Sequence, residues 1–305
     1  MSYDLRPAKQ TERRILLDLV ALGRACGLEI SSYRYVGMGG NRFYDYLLLH
    51  RYLGIHNMVS LEHDPNMVER ARFNAPYGFI DVREQSTTDF IQLDEFDVNS
   101  IYWFDYDGAI GTEVIADIYS LGTAVSAGDF IFVTVNGRPP RVIRKMSSHQ
   151  RADWYTATFG DVANQIQPNE CEDGTFNKSV HKLLRTAFRH AFASAADVFS
   201  MPLQIFYRDS TQMVTVGGCY LQAEDDEKYR RRCEQELPFL DVKSNAPYSI
   251  PHLSLSERER QVFDLAATGR SEAFNRLKAM GFDDRDVECH RELIRYIPRY
   301  VETIV

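Results

Sequence analysis

The 305 residues carry 35 Lys and Arg against 43 Asp and Glu, for a net charge of −8, with 44% apolar and 26% charged residues. That is the balance of a globular protein with one large domain and an appendage, or with two small domains, and its acid excess argues against a chain that coats itself on nucleic acid. No apolar run reaches the ~18–20 residues of a bilayer span and Met1 to Arg14 lacks an apolar signal core, so a cytoplasmic protein is expected.

In chain order, Lys9 to Gly27 reads as a helix. Ile15, Leu16, Leu19, Val20 and Leu22 form its apolar stripe, and Gly27 ends it. Tyr33 to Val36 reads as a first strand, followed by the glycines of Gly37-Met38-Gly39-Gly40. A helix over Phe43 to Leu53 comes next, then a second strand over Asn57 to Leu61. Asp64-Pro65 opens another helix, to about Phe73, with Asp as N-cap and Pro at the first helical position. Phe79 to Val82 is a short third strand and Ser100 to Phe104 a fourth. Glu113 to Leu121 is helical. Phe130 to Val135, nearly all apolar, is a fifth strand covered on both faces. The βαβ alternation predicts an α/β fold with a mostly parallel sheet.

Gly137 to Gly174 reads as irregular. A long helix is expected over Asn177 to Phe199. Leu203 to Arg208 and Met213 to Leu221, separated by Asp209-Ser210-Thr211-Gln212, make a hairpin. Composition shifts after Ala223, which places a domain boundary near residue 225: residues 1–225 form the main domain and 226–305 a C-terminal helical appendage. The five cysteines are scattered without a CxxC pair, so inert thiols are expected rather than disulfides or zinc.

Ligands of open α/β sheets bind beyond the C-terminal ends of the strands. Three elements fall there. Glycines after the first strand allow close backbone approach. Glu62 ends the second strand, where a carboxylate can accept both hydroxyls of a ribose. Thr87 to Phe90 follows the third. The dinucleotide pattern GxGxxG is not met, because Arg42 takes the third glycine position, and no P-loop lysine follows. That tilts the reading from NAD or ATP toward S-adenosylmethionine (SAM). Each residue also has a plainer reading: Glu62 as a surface carboxylate, Asp89 as a turn or cap residue, Asp105 as structural, His63 as a solvated neighbour.

The order YVGMGG, SLEHD, TTDF, WFDYDG, FIFVTVN and hairpin resembles the class I SAM-dependent methyltransferases, with their Rossmann-like sheet and terminal antiparallel pair. Arg6-Pro7-Ala8-Lys9, Tyr35-Val36-Gly37 and Trp103 to Gly108 further resemble a group of bacterial proteins assigned as O-methyltransferases. The resemblance spans about residues 5 to 225. It implies that Gly37, Met38, Gly39 and Gly40 lie against the methionine end of SAM, that Glu62 with His63 beside it holds the ribose, and that Asp89 with Phe90 meets the adenine. Asp105 would stand near the sulfonium and substrate. One position departs from the family pattern: an acidic residue two before the first glycine is replaced by Tyr35. Asp45 and Asp105 are the candidate substitutes for its contact to the methionine amine.

Methyl transfer is an in-line displacement, and an oxygen acceptor can need a base or a metal. Asp105, Tyr106, Asp107 and Asn136 are the candidate catalytic residues. Alternation along a strand would point Asp105 and Asp107 together, able to chelate a divalent cation. In catechol-type O-methyltransferases an Asp-Asn pair follows strand five. Here the pair is Val135-Asn136, one ligand short, so a metal is not favoured. Arg138, Arg141, Arg144, Lys145 and Arg151, followed by Trp154 and Tyr155, suit an anionic or nucleotide-like acceptor, or simply form a solvated loop face. Leu255 to His290 resembles a LuxR-type helix-turn-helix. Asp283, Asp284, Asp286 and Glu288 on its would-be recognition helix would repel phosphates. A packing module is expected there instead, able to serve a protein partner or a second copy of the chain. A scaffold that binds a partner without turnover remains the alternative to an active enzyme.

Overall fold

The structure, a computed structural model, describes residues 6–194, 196–244, 246–251 and 255–298. The chain forms two compact units. One comprises Leu16–Phe206 and Thr211–Tyr248; the other comprises Met1–Ile15, Tyr207–Ser210 and Ser249–Val305.

The larger unit carries the sheet. Its strands are β1 (Arg34–Gly37), β2 (Asn57–Glu62), β3 (Ile80–Glu84), β4 (Ser100–Ala109), β5 (Phe130–Asn136), β6 (Asp197–Arg208) and β7 (Gln212–Gln222). With the short β8 (Tyr248–Ser249) the order is β3-β2-β1-β4-β5-β7-β6-β8. β1 to β5 pair in parallel, and β7 runs antiparallel to β5. This is the mostly parallel sheet with a terminal hairpin that the sequence predicts. Parallel neighbours need crossovers, supplied by α2 (Tyr44–Leu53), α3 (Pro65–Asn74), α4 (Thr87–Leu93) and α5 (Thr112–Ala124). Burial of every residue from Phe130 to Val135 follows from helices on both faces.

Helix α1 (Pro7–Leu22) is followed by a 3₁₀ turn, Gly23–Cys26, that stops at Gly27 in the left-handed region. Besides α4, which the sequence did not mark as a helix, two more helices depart from expectation. The stretch read as irregular contains α6 (Ser148–Phe159). The helix expected to reach Phe199 stops earlier, as α7 (Phe176–Ala191), and Phe199 belongs to β6. The expected boundary near 225 also falls differently. α8 (Ala223–Glu236) stays in the sheet-bearing unit, because Tyr229 is fully buried there, packs edge-on to Phe130 and donates to the Leu19 carbonyl at 3.0 Å. The cysteines are free; burial raises the Cys219 thiol well above its usual range, which keeps it inert.

In the smaller unit, α9 (Glu257–Ala267), α10 (Ser271–Ala279) and α11 (Asp284–Leu293) close around Phe263, Ala273, Leu277 and Val287. Ser256 and Asp283 cap α9 and α11 through reciprocal bonds with Glu259 and Asp286. Two of the acidic residues on the would-be recognition helix thus have a local structural task. Asp209 caps the first turn of α1 from far along the chain, accepting from the Ala8 and Lys9 amides at 3.1 and 3.0 Å. Among the described residues no helix is long and apolar enough to cross a membrane.

Candidate active site

Parallel pairing brings the C-terminal ends of β1, β2, β4 and β5 to one edge of the sheet. Gly37 stands opposite Ser60 on β2 and Trp103 on β4. Two residues further on, β2 ends at Glu62 and β4 reaches Asp105, itself opposite Thr134 on β5. β2 and β4 flank β1, so the turn after Gly37 opens between Glu62 and Asp105, whose strands are roughly 10 Å apart at the usual spacing.

The turn is tightly built. A Cβ at Gly39 would fall 2.7 Å from the Phe43 ring and 2.8 Å from Ser60 Oγ. The Gly39 amide donates to that same Oγ at 3.1 Å. At Gly40 (φ +52°) a Cβ would meet nothing within 4 Å, so this side of the turn is open. Phe43 is a non-glycine residue in the left-handed region, with φ 52° at the N-cap of α2. Such backbone strain of order 1–3 kcal/mol persists where the surroundings over-determine it, and Phe43 is fully buried. Tyr35 lies beneath the turn: a Cβ at Gly37 would be 2.5 Å from its hydroxyl, which donates to Asp45 Oδ2 at 3.0 Å.

Glu62 is half-buried and accepts from the Asp64 amide at 3.0 Å. His63 is solvated, with its side chain 82% exposed and Nδ1 3.8 Å from Glu62. Beside Glu62, the Gln85 amide donates to the Glu62 carbonyl. Two buried acceptors at this edge have no partner: Asn41 Oδ1 in the glycine turn and Gln85 Oε1 after β3. An unmade buried hydrogen bond costs about 1–3 kcal/mol, which a donor on a ligand would recover. Sequence reading passed over both residues, because an isolated amide carries no pattern.

Asp89 is exposed and forms a capping box with Ser86 at the start of α4. Phe90 corrects an expectation. It is fully buried, ringed by Phe96 and Tyr102, and has no face to offer an adenine. Met38 is partly buried against the core.

The Asp105-Tyr106-Asp107 run does not act as one group. Asp105 ends the regular ladder; beyond it the β4–β5 register shifts, and the next pair is Ala109 with Asn136. The regular ladder on which a shared face for Asp105 and Asp107 was expected therefore ends at Asp105. Asp107 is exposed and Asp105 half-buried. Tyr106 faces inward and donates to Asp117 Oδ2 at 2.6 Å. Thr87 and Thr88 donate to the same carboxylate, each at 2.7 Å. Burial first, then Asp117, raises the Tyr106 phenol well above the usual tyrosine range. It stays a proton donor to Asp117, which withdraws it from the catalytic set. Asn136 is half-buried and its Oδ1 accepts from the Arg138 amide at 3.0 Å. Val135 is fully buried. Among the described residues no group of three or more His, Cys, Asp or Glu side chains is placed to share a metal ion.

The basic stretch after β5 divides. Arg138, Arg141, Arg144 and Lys145 are exposed. Arg151 is buried and donates to the carbonyls of Ile143, Cys171 and Arg144. Tyr155 is fully buried and offers no stacking face, whereas Trp154 is half-buried and packs partly against the core.

The family described as "Putative O-methyltransferase" matches residues 1–305. The chain belongs to this family. It is a methyltransferase that takes its methyl group from SAM. Among solved structures it is similar to a SAM-dependent methyltransferase from Mesorhizobium loti, with 19% identity and a TM-score of 0.29 over 39% of this chain and 56% of that one. It is also similar to an O-methyltransferase from Bacillus cereus in complex with S-adenosylhomocysteine (SAH), with 14% identity and a TM-score of 0.40 over 72% and 84% of the two chains. An RNA methyltransferase from Salinibacter ruber, also with SAH, has 15% identity and a TM-score of 0.29 over 39% and 73%. No curated protein sequence matches the chain. Family membership, not these remote likenesses, assigns the chemistry.

Proposed function

We propose that this family member methylates an oxygen of an anionic acceptor, with SAM held across the ends of β1 and β2 and the acceptor beyond β4 and β5. The observation that carries the reading is the open glycine turn between Glu62 and Asp105, flanked by the unpartnered acceptors Asn41 Oδ1 and Gln85 Oε1. SAM is rich in donors: an ammonium, two ribose hydroxyls and an adenine amine.

In this reading Gly37 to Gly40 receive the methionine end and Glu62 accepts from the ribose hydroxyls, with His63 at the solvent side. Asp89 and Gln85 face the adenine amine. SAM supplies a methyl carbon on a sulfonium; the acceptor oxygen bonds to that carbon as the carbon–sulfur bond breaks, leaving SAH and releasing the oxygen's proton. Asp105, half-buried at the last regular position of β4, is placed to orient the acceptor hydroxyl and take that proton. Asn136 lines the neighbouring strand end. Most of the rate enhancement then comes from alignment. The exposed Arg138, Arg141, Arg144 and Lys145 give the acceptor side a positive face on a chain of net charge −8, which favours an anionic acceptor. A cytoplasmic, bacterial setting and an oligomer built through α9 to α11 belong to the same proposal.

Calorimetry with SAM and SAH tests the cofactor site. Wild-type protein is expected to bind both, and Glu62→Ala to weaken SAH at least about tenfold, the cost of a charged hydrogen-bonding partner. Wild-type protein silent toward both ligands would sink the reading.

A further inference from the structure

The methionine end of SAM carries an ammonium group. Taken out of water beside a glycine turn, it needs an anionic acceptor. The residue before the turn on the same side of β1 is Tyr35, which is neutral and fully buried. Its hydroxyl lies directly under Gly37, where a Cβ would come within 2.5 Å of it. From there it donates to Asp45 Oδ2 at 3.0 Å. Tyr35 is fixed by its own packing, edge-on to Tyr46 with ring centroids 4.7 Å apart. Asp45 is half-buried in the first turn of α2, the helix into which the glycine turn leads. A second observation on the same segment points to a donor-bearing ligand: Asn41 Oδ1, in the turn itself, is buried without a hydrogen-bond partner.

We propose that Asp45 receives the ammonium group of SAM, and that Tyr35 is its positioning residue, holding the carboxylate toward the glycine turn. The assignment rests on the SAM site described above. It turns the departure at Tyr35 into a relay: a carboxylate on the next helix, steered by a phenol, stands in for a carboxylate on the strand. Asp105, the other candidate, lies on the neighbouring strand, two residues beyond the position level with Gly37 and opposite Thr134 on β5.

Two ligands separate the ammonium from the rest of the cofactor. SAH carries it; 5′-methylthioadenosine has the same adenosine and sulfur without the amino-acid arm. In calorimetry on the full chain, Asp45→Asn is expected to weaken SAH about ten- to hundredfold and leave methylthioadenosine within about twofold. Tyr35→Phe, which keeps the packing and removes only the hydroxyl, is expected to show the same selectivity with a smaller loss. Equal losses for both ligands in Asp45→Asn, or no loss for either, overturn the proposal. So does an SAH-selective loss in Asp105→Asn with none in Asp45→Asn. Glu62→Ala, at a contact common to both ligands, is expected to weaken both. If the wild-type protein binds neither ligand, the SAM site falls and this assignment with it. If it binds both while Asp45→Asn changes nothing, only the assignment of Asp45 falls.

Discussion

Asp117 shows how much one buried carboxylate can organise. It is 2% exposed and takes hydroxyl hydrogen bonds from Thr87, Thr88 and Tyr106. Those donors stand at the start of α4 and the end of β4, so one side chain on α5 ties together the segments that follow β3 and close β4. Asp117→Asn keeps the volume but turns one acceptor into a donor that faces hydroxyls. It is expected to cost about 1–3 kcal/mol, read from urea unfolding, with Tyr106→Phe costing less because it removes a donor without stranding an acceptor. Nothing in the sequence singles out Asp117, which sits in a helix pattern that Ile115, Ile118 and Leu121 explain without it. Tyr106 drew attention for its neighbours Asp105 and Asp107, and the fold turned it the other way.

At the scale of elements, the helices and strands with a single clear period were legible. α4 and α6 were not, although each carries a local signal. Ser86 with Asp89 and Ser147 with Gln150 form capping boxes, and short helices entered this way depend on packing more than on a long apolar stripe. The overlong reading of α7 has the opposite cause. Phe192 and Phe199 look like a continuing apolar face, yet they stack on each other across the helix–strand joint, with ring centroids 4.5 Å apart. Glycines within β7 set how closely the hairpin joins the parallel strands. A Cβ at Gly217 would lie 2.6 Å from Phe132 Cα on the partner strand. Gly217→Ala is expected to destabilise the protein by about 1–3 kcal/mol, the usual cost of overpacking, with a lowered melting temperature and a weakened near-ultraviolet circular dichroism signal.

Over the whole molecule, one buried histidine contributes a pH dependence of stability with a definite sign. His181 is buried on α7, donates to Gln204 Oε1 at 2.7 Å and packs edge-on to Phe206. Burial lowers its pKa to about 4, despite the opposing Gln204 bond and with smaller contributions from Arg185 and Lys182. The unfolded chain, with an ordinary histidine, binds a proton at about pH 6.5, where the native state does not. Stability is therefore full above that value and is lost as pH falls toward about 4. Between pH 7.5 and 5 the loss is expected to be about 2 kcal/mol from this group. Urea midpoints at the two pH values check it, and His181→Gln should flatten the difference.

The sequence by itself determined the class of fold, the succession of strands along the chain with their closing hairpin, and the positions of the glycine turn, Glu62 and Asp105. These follow from period, composition and chain order, which are local quantities. The order of the strands within the sheet came from the structure. Only the tertiary structure decided which side chains face the edge where those strands end. It buried Phe90, Tyr155 and Arg151, gave Tyr106 to Asp117, shifted the β4–β5 register beyond Asp105, and linked Asp45 to the underside of Gly37 through Tyr35. The physical reason is that a side chain's direction depends on register and on the partner that satisfies it, and those partners lie 10 to 60 residues away in the chain or further.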